Sequence, residues 1–287
     1  MNQKKKREAK RIITMSNNKI ALRPSYWASV SGGKDSLYML NYILHNLDRY
    51  PLDGVVHFEL EIDYPFIHNV IDYMESECKR VGVKFVRIKP RKSWEELYYS
   101  TTKSGKMRLF PTRKIRWCND LYKLDAKRQL SEWLNEAGFY VVHYIGYCAD
   151  EERRFSKRLN AKKLEVYPLA ENGINEDTIW KWAKTQPIFN HYYETNKRCG
   201  CMYCPMSSFL NFAYLYKYYP ENFQYMLEKM REAEKIIEGK TGRPFSAISS
   251  NPKYNADYLE NIVKTKWIQK LDELEDKNKN ENEKETK

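Results

Sequence analysis

The stretch Ser31-Gly32-Gly33-Lys34-Asp35-Ser36 follows a short apolar run, Tyr26-Trp27-Ala28-Ser29-Val30, and precedes Leu37, Leu40, Ile43 and Leu44 at three- and four-residue spacing. The run reads as a buried strand and the spacing as a helix. A strand that turns through Gly-Gly into a helix leaves backbone N–H groups free at the helix start. Those donors, the helix dipole and one lysine make an anion site suited to phosphate. Glycines serve because a Cβ would hold a phosphate away from the backbone. This is not a Walker A loop, since no glycine stands five residues ahead of a Gly-Lys-Ser/Thr.

Outward from the loop, apolar runs alternate with helical patterns. Gly54-Val55-Val56-His57-Phe58 reads as a second strand, and Ile67, Val70, Ile71 and Met74 as the inner face of a helix. Lys84–Ile88 reads as a third strand and Phe139–Ile145 as a fourth, after a helix with Leu121, Leu124, Leu130 and Leu134 inward. Val166–Leu169 gives a short fifth strand, and Glu176–Lys184 a helix. Strands separated by such helices predict parallel βαβ crossovers, hence an α/β fold with a doubly wound parallel sheet of about five strands. Ligands of such sheets bind beyond the carboxyl ends of the strands. The expected organisation is a basic arm over 1–22, a nucleotide-binding α/β domain over 23–190, a cysteine-containing helical subdomain over 191–270, and a disordered charged tail over 271–287.

The net charge is +12, and the segment 271–287 carries seven acidic and four basic residues, so residues 1–270 hold +15. The first eleven residues carry six basic and one acidic side chain, which leaves +10 on 12–270. An excess that survives trimming points to an anionic partner, nucleotide or nucleic acid. Residues 100–116 hold Lys103, Lys106, Arg108, Arg113, Lys114 and Arg116 without periodicity, and read as a long loop, either a lid over phosphates or a solvated segment. No apolar run approaches the eighteen or so residues of a membrane span, and a cytoplasmic protein is expected.

Asp150 and Glu151 open a helix just after the fourth strand, on the sheet edge that carries the Gly-Gly loop. Acidic residues there complement the helix dipole; a carboxylate beside nucleotide phosphates is also a Mg²⁺ ligand. Six cysteines, three of them in Cys199-Gly200-Cys201-Met202-Tyr203-Cys204, fit metal or redox chemistry better than a disulfide framework. Cys201 and Cys204 reach one metal from a single turn, with Cys199 adjacent, Cys118 the best distant ligand and Cys148 its substitute. Iron–sulfur and zinc both accept four thiolates, so spacing does not separate them. The five histidines show no ligand spacing, and His143 reads as a core residue.

Ser31–Ser36 resembles the PP-loop of ATP pyrophosphatases and of the phosphoadenosine phosphosulfate (PAPS) reductase family. Gly146 through Arg154 is similar to that family's Gly-Ile-Arg-x-x-Glu-Ser-x-x-Arg stretch, matching at Gly146 and Glu151, with Arg154 one position short of its final arginine. Cys148 and Glu152 replace its arginine and serine. Arg116-Trp117-Cys118 with Lys123, Tyr167-Pro168-Leu169 and Arg198-Cys199-Gly200-Cys201-x-x-Cys204-Pro205 follow the family's order of landmarks. The resemblance covers roughly residues 24–206. It implies that Ser31, Gly32, Gly33, Lys34, Asp35 and Ser36 grip the phosphates of ATP or PAPS, with Lys34, Asp150, Glu151 and Arg154 catalytic. It further implies a sulfur-transfer or sulfonucleotide-reduction activity and a [4Fe–4S] cluster on Cys118, Cys199, Cys201 and Cys204, with zinc as the alternative. A sulfur-donor protein is a further implied partner. Assimilatory reductases also carry a nucleophilic cysteine in a C-terminal Glu-Cys-Gly segment, and this chain has no cysteine after Cys204. The competing expectation is a nucleic-acid-binding component of a DNA or RNA thiolation system that uses nucleotide as a switch.

Overall fold

A computed structural model describes residues 12–15, 18–154, 164–196 and 200–285. Residues 1–11 of the expected basic arm, and Cys199 of the expected thiolate set, lie outside the described residues. The chain forms two compact units. The first takes the chain through Glu59, with His68–Lys89 and Ala126–Phe189; the second takes Leu60–Ile67, Pro90–Asp125 and the chain from Asn190. The boundaries differ from the expected linear division, because two segments between the strands belong to the second unit.

In the first unit, β1 (Ile12–Met15) and β2 (Asn18–Ala21) form an antiparallel hairpin within the stretch expected to be an arm. The main sheet comprises β3 (Arg23–Val30), β4 (Gly54–Phe58), β5 (Phe85–Ile88), β6 (Phe139–Tyr144) and β7 (Glu165–Val166), in the order β5-β4-β3-β6-β7. Every pairing in it is parallel. The α/β expectation therefore holds. The order runs outward from β3 in one direction and resumes at β6 in the other, so the switch lies between these two strands, where Ala28 pairs with Tyr144. The loop after β3 and the loop after β6 flank that crevice, the usual ligand position of this architecture. The fifth strand is shorter than expected: Pro168 starts the helical turn Pro168–Glu171 instead of extending it, as its fixed φ favours.

One sheet face is covered by α4 (Leu124–Glu136), whose Leu130 and Leu134 pack with Trp27 and Val56. Helix α1 (Lys34–Leu44) buries Leu37, Met39, Leu40 and Ile43, and α2 (Pro65–Arg80) buries Ile67, Val70, Ile71 and Met74. The inward set of the helix before β6 needs correction. Leu121 and Leu124 are exposed, while Tyr122 and Ala126 are buried with Leu130 and Leu134. Residues Cys118–Lys123 form a π-helical turn, whose extra residue per turn rotates the face that a regular 3.6-residue period would bury.

The second unit contains the short helix α3 (Trp94–Tyr99) and the sequence-predicted loop 100–116, which holds no regular element beyond an isolated bridge between Thr101 and Met107. Its larger helices are α6 (Phe209–Tyr218), α7 (Pro220–Thr241), α8 (Ala256–Ile262) and α9 (Ile268–Glu285), with α5 (Glu176–Lys184) preceding them in the first unit. Its core is aromatic: the Tyr64 ring lies 5.4 Å from those of Phe66 and Tyr192. Asn211 ties α6 to this core by donating to Tyr192 Oη and, at 3.0 Å, to Asn196 Oδ1. Helix α9 occupies much of the expected disordered tail. Leu271 is fully buried, and Lys217 pairs with Asp272 at 2.5 Å and Glu275 at 2.7 Å. Those anchors supply what the tail's composition alone lacks. Among the described residues no helix is long and apolar enough to cross a membrane.

Candidate functional site

Two constellations carry chemistry, one in each unit. The first is the loop after β3. Gly32 has φ 73°, a left-handed conformation that a glycine adopts without strain. Ser36 Oγ accepts from Ser31 N at 3.2 Å and donates to the Gly33 carbonyl at 2.9 Å, so one hydroxyl braces both ends of the turn. Helix α1 is capped by Gly33 without any side-chain hydrogen bond to its first turn. Its opening amides therefore keep their capacity to bind an anion.

Lys34 is buried, and its ammonium donates to Asp35 Oδ1 at 2.7 Å and to Glu176 Oε1 at 3.2 Å. Burial works against the lysine charge, but Asp35 and Glu176 outweigh it and hold the pKa above the usual value. The Asp35 carboxyl is pushed up by burial, opposed by Lys34, with Glu151 and Glu176 adding repulsion. Two carboxylates, Asp35 and Glu176, thus flank one ammonium at the Gly-Gly turn, and Glu151 lies near enough to Asp35 to repel it.

The loop after β6 completes the surroundings. Gly146 lies so close to α1 that a Cβ there would meet the Asp35 carbonyl oxygen at 2.9 Å. Cys148 is buried; burial, then Asp35 and Glu151, push its thiol up to about 12, so it is a neutral thiol at physiological pH. Glu151 pairs with Arg154 at 2.6 Å, and the guanidinium lies over the Tyr147 ring at 4.5 Å. Asp150 accepts from Glu176 N at 3.3 Å and so braces the start of α5. Each residue of the first expected site lies in this neighbourhood, but Asp150 has a capping task. The acidic residue in direct contact with Lys34 from α5 is Glu176, which the sequence reading placed only as a helix start. No local signal marks it, since it lies 142 residues from Lys34.

The second constellation is the cysteine group. Cys118 starts the π turn, and Cys201 and Cys204 stand on a loop held by Met202 N donating to Ile62 O at 2.8 Å. Burial pushes the Cys118 thiol up to about 11, with Cys201 and Cys204 adding to the shift, so the three sulfurs share one environment. Lys123, at the end of the same π turn, donates to the Cys201 sulfur, and Cys201 is the largest cause holding its pKa above the usual range. Burial raises Cys201 while Lys123 draws it down. Lys123 is a second residue whose role only the fold discloses. Among the described residues no three His, Cys, Asp or Glu side chains converge as a complete metal site. The thiol donors and the cation beside them nonetheless suit a soft, thiolate-bound metal or cluster. His143 is a core residue: its Nδ1 lies 2.8 Å from Ser29 Oγ, and burial pushes its pKa down to about 3.

No family model matches the chain. It is 24% identical over 233 residues to the uncharacterized protein MJ0973 of Methanocaldococcus jannaschii, covering 74% of this chain and 50% of that protein. It is 23% identical over 228 residues to the uncharacterized protein MJ0066 of the same organism, covering 73% and 42%. The chain therefore spans about half the length of the curated relatives it matches. Among solved structures it is similar to a U34-tRNA thiolase NcsA from Methanococcus maripaludis with its [4Fe-4S] cluster. That likeness has 14% identity and a TM-score of 0.36, and covers 86% of this chain and 74% of the other.

Proposed function

We propose that the chain is a PP-loop enzyme that binds ATP with Mg²⁺ and activates an acceptor for sulfur transfer. The observation that carries this reading is the Lys34 ammonium, held between Asp35 and Glu176 at the amide-lined start of α1. Bare phosphates arriving there would be repelled by Asp35, Glu151 and Glu176. A divalent cation reverses that sign, and Mg²⁺ shared with phosphates needs only one or two carboxylates. Asp35, Glu151 and Glu176 are the residues to hold it, and it would neutralise charge developing on the phosphates. This favours a Mg²⁺–nucleotide complex over a sulfonucleotide such as PAPS.

In the reaction, Lys34 and the loop amides stabilise negative charge on the phosphates, commonly the largest catalytic contribution. An acceptor oxygen attacks the α-phosphate, pyrophosphate leaves, and the acceptor carries AMP. A sulfide nucleophile from a donor then displaces AMP. Cys118, Cys201 and Cys204, with Cys199, are the residues to hold an iron–sulfur cluster or zinc, which would bind the sulfur in transit.

Calorimetric titration with ATP in the presence and absence of Mg²⁺, and with PAPS, tests the nucleotide assignment. Mg²⁺–ATP is expected to bind and Lys34→Ala to weaken it. Tighter binding of PAPS than of Mg²⁺–ATP would reverse the choice, and failure of both to bind would remove the reading.

A further inference from the structure

In the second unit a cavity of about 420 Å³ is walled by Pro205, Phe209, Tyr254, Tyr258 and Trp267, together with Arg113. A hollow of about 370 Å³ shares Arg113 and Ser249 with it and adds Lys114, so the two adjoin as one groove. The larger volume falls within the roughly 300–1,000 Å³ of small-ligand pockets. Its aromatic rings stand in two pairs. Phe209 and Trp267 are 5.6 Å apart at 33°, and Tyr254 and Tyr258 are 4.8 Å apart at 62°. Both pairs wall the cavity instead of closing it, and Tyr254 is 42% exposed.

The groove's lining carries two cations, Arg113 and Lys114. Lys253 adjoins Tyr254 in sequence, Lys266 adjoins Trp267, and Arg116 lies two residues beyond Lys114. Arg113, Lys114, Arg116, Lys253 and Lys266 have no carboxylate partner among the described residues, whereas the nearby Lys264 is paired with Glu260 at 2.6 Å. Arg113 Nε donates to the Pro205 carbonyl at 3.3 Å, which fixes the guanidinium against the turn that follows Cys204. Lys270 lies 4.8 Å over the Trp267 ring.

We propose that this groove binds a single-stranded nucleic-acid segment, with one unstacked base against the aromatic pairs and its phosphates on Arg113, Lys114 and the neighbouring lysines. Flat aromatic walls beside unpaired cations match a base and its backbone together, as in sequence-tolerant single-strand sites. An acidic peptide would use the cations and leave the aromatic walls idle. A free mononucleotide would fill the walls and leave most of the cations idle. Pro205 and Ser207, one and three residues after Cys204, belong to the same wall, so the bound base is the acceptor of the sulfur transfer proposed above. Only that last assignment rests on the sulfur-transfer reading; the binding does not.

The test is fluorescence anisotropy of the full chain with labelled single-stranded RNA and DNA of about twelve nucleotides, at low salt and without ATP. Both strands are expected to bind, more tightly than a duplex of the same length. Tyr254→Ala is expected to weaken binding by about 5- to 150-fold, and Tyr254→Phe to leave it within about twofold because the stacking face is kept. Lys114→Glu with Lys253→Glu is expected to flatten the salt dependence. Equal affinity of wild type and Tyr254→Ala overturns the proposal. So does AMP competing at the concentration of the oligonucleotide, or polyglutamate displacing it equally in both proteins. Because ATP is absent, loss of oligonucleotide binding defeats the groove alone. Failure of ATP to bind, with oligonucleotide binding intact, defeats the sulfur-transfer reading and the acceptor assignment with it, and leaves the groove's binding standing.

Discussion

The Lys34 ammonium donates to Glu176 Oε1 across 3.2 Å, joining the loop after β3 to the first turn of α5. The pairing occupies the cation that phosphates would need. Under the proposed function, a nucleotide would therefore exchange one anion for another at Lys34, and a divalent cation would assist by taking the displaced carboxylate.

That exchange fixes opposite outcomes for its two partners. Lys34→Ala should weaken Mg²⁺–ATP binding by about 1.5–3 kcal/mol, the scale of a hydrogen bond to a charged group. Glu176→Gln should strengthen binding of Mg²⁺-free ATP by about 0.2–1 kcal/mol, the modest value of a half-exposed pair. Calorimetry on both variants checks this. Glu176→Gln binding Mg²⁺-free ATP more weakly than wild type would refute the exchange.

Gly146 tests the contact between the two loops at the switch in strand order. An alanine Cβ would stand 2.9 Å from the Asp35 carbonyl oxygen, and backbone must shift to admit it. Gly146→Ala should cost about 1–3 kcal/mol of stability, as overpacking does, and weaken nucleotide binding with it. Thermal unfolding with and without Mg²⁺–ATP reads both effects. Wild-type ATP affinity in this variant would detach the β6 loop from the site.

For the cysteine group, anaerobically purified protein should be brown with broad absorption near about 400 nm. Cys118→Ser, Cys201→Ser and Cys204→Ser should lose the colour, while Cys148→Ser, beside the phosphate loop, should keep it. Iron and zinc analysis accompanies the spectrum. Colourless protein with stoichiometric zinc would keep the ligands and replace the cluster; protein with neither metal would defeat both.

Glu234 supplies a pH dependence. It is buried on α7, accepting from Ala247 N at 3.3 Å and Ala256 N at 3.1 Å, and burial pushes its carboxyl up to about 7 from an ordinary 4.5. Asp257 and Glu238 push in the same direction. Because the folded pKa is the higher one, its stabilising contribution is complete below about pH 4.5 and is lost as pH rises through about 7, by up to about 3 kcal/mol. Urea unfolding between pH 5.5 and 8.5 should show a smaller loss in Glu234→Gln than in wild type. Parallel curves would remove Glu234 as the source.

The π turn ahead of α4 makes a contrast between two leucines of one helix. Leu130→Ala should cost about 2–5 kcal/mol, and Leu124→Ala, on the exposed face, within about 0.5 kcal/mol of nothing. Equal losses by denaturant titration would restore the regular helical face.

The sequence by itself determined the α/β class and the Gly-Gly turn from β3 into α1. Both rest on local facts: apolar runs of strand length alternating with helical spacing, and a glycine where the chain takes a left-handed conformation. The helix Glu176–Lys184 was legible end to end for the same reason. Tertiary structure alone decided which acid meets Lys34, since Glu176 reaches it only through the packing of α5 on α1. It also decided that Lys123 stands beside Cys201, within a thiol group that the sequence had already drawn from Cys118, Cys201 and Cys204, and that the aromatic residues after Cys204 wall an open groove. A π turn reversed the burial of Leu121 and Leu124, which no 3.6-residue pattern encodes. Periodicity fixes how a segment folds against its own neighbours; which distant segment it meets depends on crossovers whose register is set only when the whole core packs.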